Sequence, residues 1–261
     1  MARTVQVRNM ILGEGLPKIC VPLTDTDYDH LKQSAQTLQN VPFDFVEWRA
    51  DFYDEFRNHV SRTNALKMLR DILGDTPILF TIRTKAEGGH ADISKEEYEA
   101  INLAVIKSGL ADLVDVELET GDDIMTRLCA AAHDSLLPEH DPGSATVKIV
   151  ASKHDFVKTP QESELVKSLC RMQKLGADIA KYAVMPNSEQ DVLTLLSATL
   201  IMKEQHPATP VITMSMGHLG ALSRVCGSFS GSCVTFGTAG HASAPGQLPA
   251  DILKIFLESL A

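Results

Sequence analysis

Lys181 stands in the run Asp178-Ile179-Ala180-Lys181-Tyr182-Ala183-Val184-Met185, which otherwise reads as a buried strand. A parallel strand covered on both faces is a near-continuous apolar run, so a lysine in its middle is an anomaly. Burial disfavours an ammonium, and a neutral amine is a nucleophile that condenses with a ketone or aldehyde. The resulting iminium is an electron sink. His154, in Ser152-Lys153-His154-Asp155, is of the right type to remove a proton from the carbon beside it. Arg224, after Ser223, has the planar fork that grips a carboxylate. Such cationic neighbours would also help to keep Lys181 neutral.

The elements that must bring these groups together recur along the chain. Short, apolar, β-branched-rich runs predict strands at 18–23, 43–49, 77–83, 113–118, 147–152, 179–185, 210–216 and 232–237. Helix-forming sequence lies between them, for example at 63–73, 95–108, 122–134, 160–175 and 189–205, with a last helix at 249–260. Ser94 and Glu97 have the spacing of a capping box. Eight strands alternating with helices predict a (β/α)8, or TIM, barrel. A doubly wound open sheet is the rival, but Thr24-Asp25-Thr26-Asp27 after the first strand carries no GxGxxG. Residues 4–16 read as a short hairpin closing the bottom of the barrel. No linker or repeat divides the chain, so residues 1–261 read as one domain.

Chemistry in such a barrel sits at the C-terminal ends of the strands. Those ends carry Glu47-Trp48-Arg49-Ala50-Asp51, Thr81-Ile82-Arg83 before Glu87-Gly88-Gly89, and His154, Lys181, Met214 and Met216. Alternation puts Glu47 with Arg49 on one face, Met214 with Met216, and Lys181 with Ile179, Ala183 and Met185. The small-residue loop 237–248 reads as a lid with Ser243 and Gln247 at its tip. Ordinary structural readings also exist. A strand lysine can snorkel from an edge, and a lone histidine is more often a surface or satisfied core residue. Glu47 and Arg49 would make an ion pair at the barrel top, the methionines would be core, and Ser223-Arg224 would start a helix. The loop would be plain surface. Convergence on one mouth separates the two sets.

Composition narrows the classes. With 34 acidic and 24 basic residues the net charge is -10, which argues against a nucleic-acid surface. Five scattered cysteines, with no CxxC pair, suggest neither a zinc site nor a disulfide framework. No apolar run approaches the roughly 18 residues of a membrane span. The N-terminal residues 1–8 lack a signal-peptide core. A cytoplasmic protein is expected.

From Pro17-Lys18-Ile19-Cys20-Val21-Pro22 to Pro245-Gly246-Gln247-Leu248 the chain resembles the type I 3-dehydroquinate dehydratase family of the shikimate pathway. The resemblance rests on the order and spacing of the segments above. To them it adds Ser152-Lys153-His154-Asp155-Phe156, Lys181-Tyr182-Ala183-Val184-Met185-Pro186 and Ile212-Thr213-Met214-Ser215-Met216-Gly217. It implies a (β/α)8 barrel, a homodimer, no metal or organic cofactor, and 3-dehydroquinate as substrate. By resemblance Lys181 is the Schiff-base lysine, His154 the proton-transfer group and Glu87 the carboxylate that orients it. Glu47, Arg49 and Arg83 match contacts to the substrate hydroxyls, and Arg224 the carboxylate clamp. Met214, Met216 and Phe236 match the apolar wall, and Ser243 and Gln247 the lid. Pro22 departs from members that have serine there. A class I aldolase or transaldolase, and a non-catalytic binding barrel, are the competing readings.

Overall fold

Each apolar run becomes a strand whose two faces meet different partners. The computed structural model describes residues 4–38, 41–134, 146–240 and 243–260. Residues 1–3 of the N-terminal stretch, and 241 and 242 of the 237–248 loop, lie outside them. In chain order come β1 (Val5–Val7), β2 (Met10–Leu12), β3 (Lys18–Leu23), α1 (Tyr28–Thr37), β4 (Phe45–Arg49), α2 (His59–Leu73) and β5 (Ile78–Thr81). Next are α3 (Lys95–Ser108), β6 (Leu113–Glu117), α4 (Asp122–Ala132), β7 (Lys148–Asp155), α5 (Glu162–Lys174) and β8 (Ile179–Val184). The chain continues through α6 (Glu189–Gln205), β9 (Val211–Ser215), α7 (Ala221–Val225) and α8 (Gly227–Ser230). It ends with β10 (Val234–Thr238), β11 (Leu248–Pro249) and α9 (Ala250–Ser259).

Strands β3 to β10 pair in parallel and curl into the expected (β/α)8 barrel. The seam between β9 and β10 closes through the Val211–Ser232 bridge, where Cys233 N–H donates to Val211 O at 2.9 Å. Several boundaries differ from expectation. Strand β7 runs on to Asp155 because His154 and Asp155 stay in register with Ala183 and Val184 of β8. Strand β5 stops at Thr81, and Arg83 lies beyond it. Helix α2 begins at His59, where Asn58 caps the N–H groups of Val60 and Ser61. Ser94 accepts from Glu97 N–H as a capping residue should. No helix among the described residues is long and apolar enough to cross a membrane.

The floor of the barrel follows from alternation. Each strand sends one inward side chain to a common apolar layer: Cys20, Phe45, Leu79, Leu113, Val150, Ile179, Ile212 and Val234. The antiparallel β1–β2 hairpin adds Val5, Val7, Met10 and Leu12 from below. Among the described residues that end is filled with apolar side chains, while the site cavity lies at the strand C-termini. Outward residues such as Val46, Val114 and Val184 pack under the helices as a second core.

One bonding motif repeats around the base. Asp44, Asp112, Asp178 and Ser232 sit just ahead of β4, β6, β8 and β10. Their side-chain oxygens accept from Ile19, Ile78, Ile149 and Thr213 N–H, each near the start of the preceding strand, at 2.7, 2.8, 2.9 and 3.0 Å. Backbone groups there would otherwise lack partners, and a buried orphan is costly. Neighbouring strands are thus tied in pairs, β3 to β4, β5 to β6, β7 to β8 and β9 to β10. Asp178→Ala, which strands the buried Ile149 N–H, is expected to lower stability by about 1.5–3 kcal/mol. A urea midpoint unchanged from wild type would show the tie to be idle.

Candidate active site

Two residues above the apolar floor, the same inward faces turn polar. They present Glu47 on β4, Thr81 on β5, Asp115 on β6, Ser152 on β7 and Lys181 on β8, with Met214 and Phe236 from β9 and β10. One step higher come Arg49, Arg83, Glu117, His154 and Met216. Because the period is two, a strand that fills the floor at one position must aim its next inward residue at the mouth. A cavity of about 140 Å³ lies there. Lys181, His154, Glu87, Glu47, Arg49, Arg83, Met214, Met216, Arg224, Phe236, Ser243 and Gln247 all line it.

Lys181 does not snorkel. Only 3% of it is exposed, and Nζ points inward. It lies 3.4 Å from Asp115 Oδ2, 3.6 Å from Glu47 Oε1, and 4.5 Å from the centre of the Phe236 ring. The expectation that cations would surround the amine is corrected here. The charged groups in contact with Nζ are carboxylates. Phe236 adds the negative face of its ring. Thr81 donates to the same Glu47 oxygen at 2.9 Å and steadies it.

The cations act instead on the imidazole. Burial, with Arg83, Lys181 and Arg49 nearby, pushes His154 well below its ordinary range, so its ring is neutral at physiological pH. His154 Nδ1 is 2.8 Å from Glu87 Oε2. Glu87 closes the 3₁₀ turn Lys85–Glu87 and is itself buried. Burial raises its carboxyl to about 8; Arg83 opposes this, while Glu117 and Asp115 reinforce it. The pair can therefore hold and pass a proton, since its setting pushes both the imidazole and the carboxyl toward their neutral forms. Gly88 follows in the left-handed region, φ 79°, and a Cβ there would meet the Phe156 ring at 2.3 Å. The bare glycine leaves room for Phe156 over the mouth beside His154, a lining residue the resemblance quoted but did not nominate.

The three arginines differ in what they have left to offer. Arg49 is bidentate with Asp51, both bonds 2.8 Å, so the ion pair foreseen with Glu47 is made with Asp51 instead. Arg83 bonds Glu117 and Asp115 at 2.9 Å each, and Ser152 at 3.0 Å. Arg224 has no carboxylate partner among the described residues. It is 2% exposed, donates only to the carbonyls of Pro245 and Phe236, and keeps a buried Nε without a partner. Burial without a counter-charge lowers it to about 10. The Ser223-Arg224 pair lies on the short helix α7, where Ser223 Oγ accepts from Ser215 N–H and fixes the helix against β9.

The segment 243–247 is laid across this arginine. Pro245 O accepts from Arg224 at 2.9 Å and from Gly217 N–H at 3.2 Å. Gly246 takes φ 76°, and a Cβ on it would strike Gly217 O at 2.3 Å, so the close approach requires glycine. Ser243 and Gln247 bond to one another, Gln247 Nε2 to Ser243 Oγ at 3.0 Å. Neither reaches another site residue directly.

Sequence reasoning missed Asp115, Glu117, Ser152 and Thr81, which stand behind the cavity wall. Glu117 grips Thr84 N–H and Oγ1 at 2.8 and 2.6 Å and so holds the turn that carries Glu87. The signal was present. Leu113-Val114-Asp115-Val116-Glu117 places two acids in an otherwise apolar strand, the same anomaly that singled out Lys181.

Fold and site together define a (β/α)8 barrel with a buried lysine, an imidazole–carboxyl pair and an unpaired arginine at its mouth. Residues 19–261 match the family model of type I 3-dehydroquinase. The 3-dehydroquinate dehydratase of Clostridium botulinum (strain Eklund 17B / Type B) is 43% identical over 260 residues, covering 100% of this chain and 98% of that protein. That of Bacillus licheniformis is 45% identical with the same coverage. The type I enzyme of Clostridium difficile, solved with covalently modified comenic acid, superposes with a TM-score of 0.92 at 43% identity, over 99% of this chain and 98% of that one. The chain belongs to the type I 3-dehydroquinase family.

The raised Glu87 carboxyl makes stability depend on pH. Below its ordinary value of 4.5 the group is protonated in both states. Between there and about 8 the unfolded chain sheds a proton that the folded protein keeps, so stability falls as pH rises. Glu87→Gln removes that proton linkage. Its Tm is expected to decline less than that of wild type from pH 5 to pH 8; parallel Tm curves would contradict the assignment.

Proposed function

We propose that this chain is a hydro-lyase that removes water from 3-dehydroquinate to give 3-dehydroshikimate, working through a Schiff base on Lys181. The observation that carries the reading is the meeting of three groups in one cavity: a buried amine, the neutral His154–Glu87 pair, and Arg224 with no carboxylate of its own. A cyclic ketone bearing a carboxylate supplies what each lacks. The Clostridium difficile relative was solved with covalently modified comenic acid.

In this reading the Lys181 nitrogen attacks the C3 ketone; the two protons it loses leave with the ketone oxygen as water, and the iminium keeps one N–H. His154 takes a proton from C2, and the electron pair moves through the new C=C bond onto nitrogen. The enamine returns that pair and expels the C1 hydroxyl, which leaves as water with the proton from His154. A water then adds to the product iminium and frees ketone and amine. Glu87 orients the imidazole; Arg224 clamps the carboxylate; Met214, Met216 and Phe236 form the apolar wall. Glu47, Arg49 and Arg83 face the hydroxyl side, with Arg49 and Arg83 already held by Asp51 and by Glu117 and Asp115. Ser243 and Gln247 close the lid. General acid–base help of this kind is worth roughly 10²–10⁴ in rate.

A class I aldolase would also use a barrel lysine, but it commonly grips phosphate. The lone unpaired Arg224 suits a carboxylate better. A binding barrel without chemistry would have no need of the His154–Glu87 pair. We read residues 1–261 as one domain and the protein as cytoplasmic; free Cys20, Cys129, Cys170, Cys226 and Cys233 fit a reducing compartment. A homodimer follows from the resemblance, and exposed Leu193, Leu222 and Phe229 on α6, α7 and α8 give it an apolar face.

Borohydride reduction in the presence of 3-dehydroquinate, followed by peptide mapping, is expected to mark Lys181. Label on Lys153 instead would overturn the scheme. Lys181→Ala is expected to lose turnover while staying folded. Arg224→Ala should raise KM by the equivalent of ~2–5 kcal/mol, the cost of losing a buried charged pair. An unchanged KM would refute the clamp.

A further inference from the structure

We propose that Asp115 is the fixed counter-ion of the Lys181 iminium and thereby a catalytic residue in its own right. This rests on the Schiff-base chemistry proposed above. An iminium sealed in a barrel is a buried cation, and a buried cation needs a partner that stays with it. Asp115 and Glu47 are the carboxylates within salt-bridge distance of Nζ among the described residues. They are not equivalent. Glu47 lines the cavity, where an incoming substrate would compete for it. Asp115 lies behind the lysine, fully buried and not part of the cavity wall.

Its bonds hold it there. Oδ1 accepts from Ser152 Oγ at 2.6 Å, while Oδ2 faces Arg83 NH2 at 2.9 Å and Lys181 Nζ at 3.4 Å. Burial works against its charge, yet Arg83, Lys181 and Ser152 keep the carboxyl below its usual range. It is an anion while that nitrogen is charged, as ammonium or as iminium. When the ketone condenses, nitrogen loses two protons over the steps to a neutral imine and regains one as the iminium. The N–H that remains can point at Oδ2.

Sharing with Arg83 sets the strength of this partner. A counter-ion that bound too firmly would resist the next step, in which the C2 electron pair neutralises the nitrogen. The nearer bond from Arg83 to the same Oδ2 draws off part of that charge. The other groups facing the pair are accounted for: Glu117 from β6 is committed to Arg83 and Thr84, and Glu87 to His154. Cys20 lies below on β3, Arg49 is held by Asp51, and Tyr98 donates to the Asp115 main-chain carbonyl rather than to its carboxylate.

The test reads the pH dependence of borohydride trapping at Lys181 with 3-dehydroquinate, since the protonated iminium is the form reduced. Trapping of the wild type comes first; if Lys181 is not marked, the proposed chemistry fails and not this inference alone. With wild type marked, Asp115→Asn is expected to move the alkaline limit of trapping down by one pH unit or more and to lower kcat at least tenfold. Asp115→Glu, which keeps the charge, should restore most of the alkaline limit. A limit unmoved in Asp115→Asn, or a loss equal at every pH, would overturn the assignment. If Asp115→Asn does not fold, Ser152→Ala gives a second reading. Stripped of one donor, the carboxylate bears more charge on Oδ2, and the alkaline limit is expected to rise; an unchanged or lower limit counts against the proposal.

Discussion

A charged layer inside an apolar barrel is the constraint on which this structure turns. Lys181, Arg83 and Arg49 are buried together with Asp115, Glu117, Glu47 and Asp51. None could sit there alone, because an isolated buried charge costs several kcal/mol even after relaxation. Each is tolerated because neighbours close in space complete it: Asp115 between Lys181, Arg83 and Ser152, and Glu117 between Arg83 and Thr84. Arg224 is the exception, buried with no carboxylate partner among the described residues and with its Nε unbonded.

That layer in turn requires a floor. The eight inward residues from Cys20 to Val234, with the β1–β2 hairpin beneath, fill the lower half of the barrel with apolar side chains. The low dielectric this creates strengthens the contacts above it and drives His154 and Glu87 toward their neutral forms. The Asp44, Asp112, Asp178 and Ser232 ties keep the strand starts in register. Since side-chain direction alternates strictly, a slip of one residue would exchange floor for helix-facing core and dismantle the site.

Much of this was legible along the chain. The eight apolar runs marked the strands, and the residues nominated at their ends all line one cavity. What escaped was more specific. The Asn58 cap lengthened α2, and Asp51 rather than Glu47 proved to be the partner of Arg49. Asp115 and Glu117 were passed over although they interrupt an apolar strand as plainly as Lys181 does. Their partners are far along the chain, 34 residues for Arg83 and Glu117 and 66 for Lys181 and Asp115, a distance no local pattern spans.

The sequence by itself determined the period of each element, the inward face of each strand, and the family through the order of its motifs. Periodicity and turn chemistry are local, and they are written in neighbouring residues. Only the tertiary structure decided which charges meet. It surrounded Lys181 with carboxylates rather than arginines, gave Arg49 and Arg83 to other partners, and left Arg224 unpaired. Those outcomes depend on closing the barrel, because electrostatic energy follows distance through space and not separation along the chain.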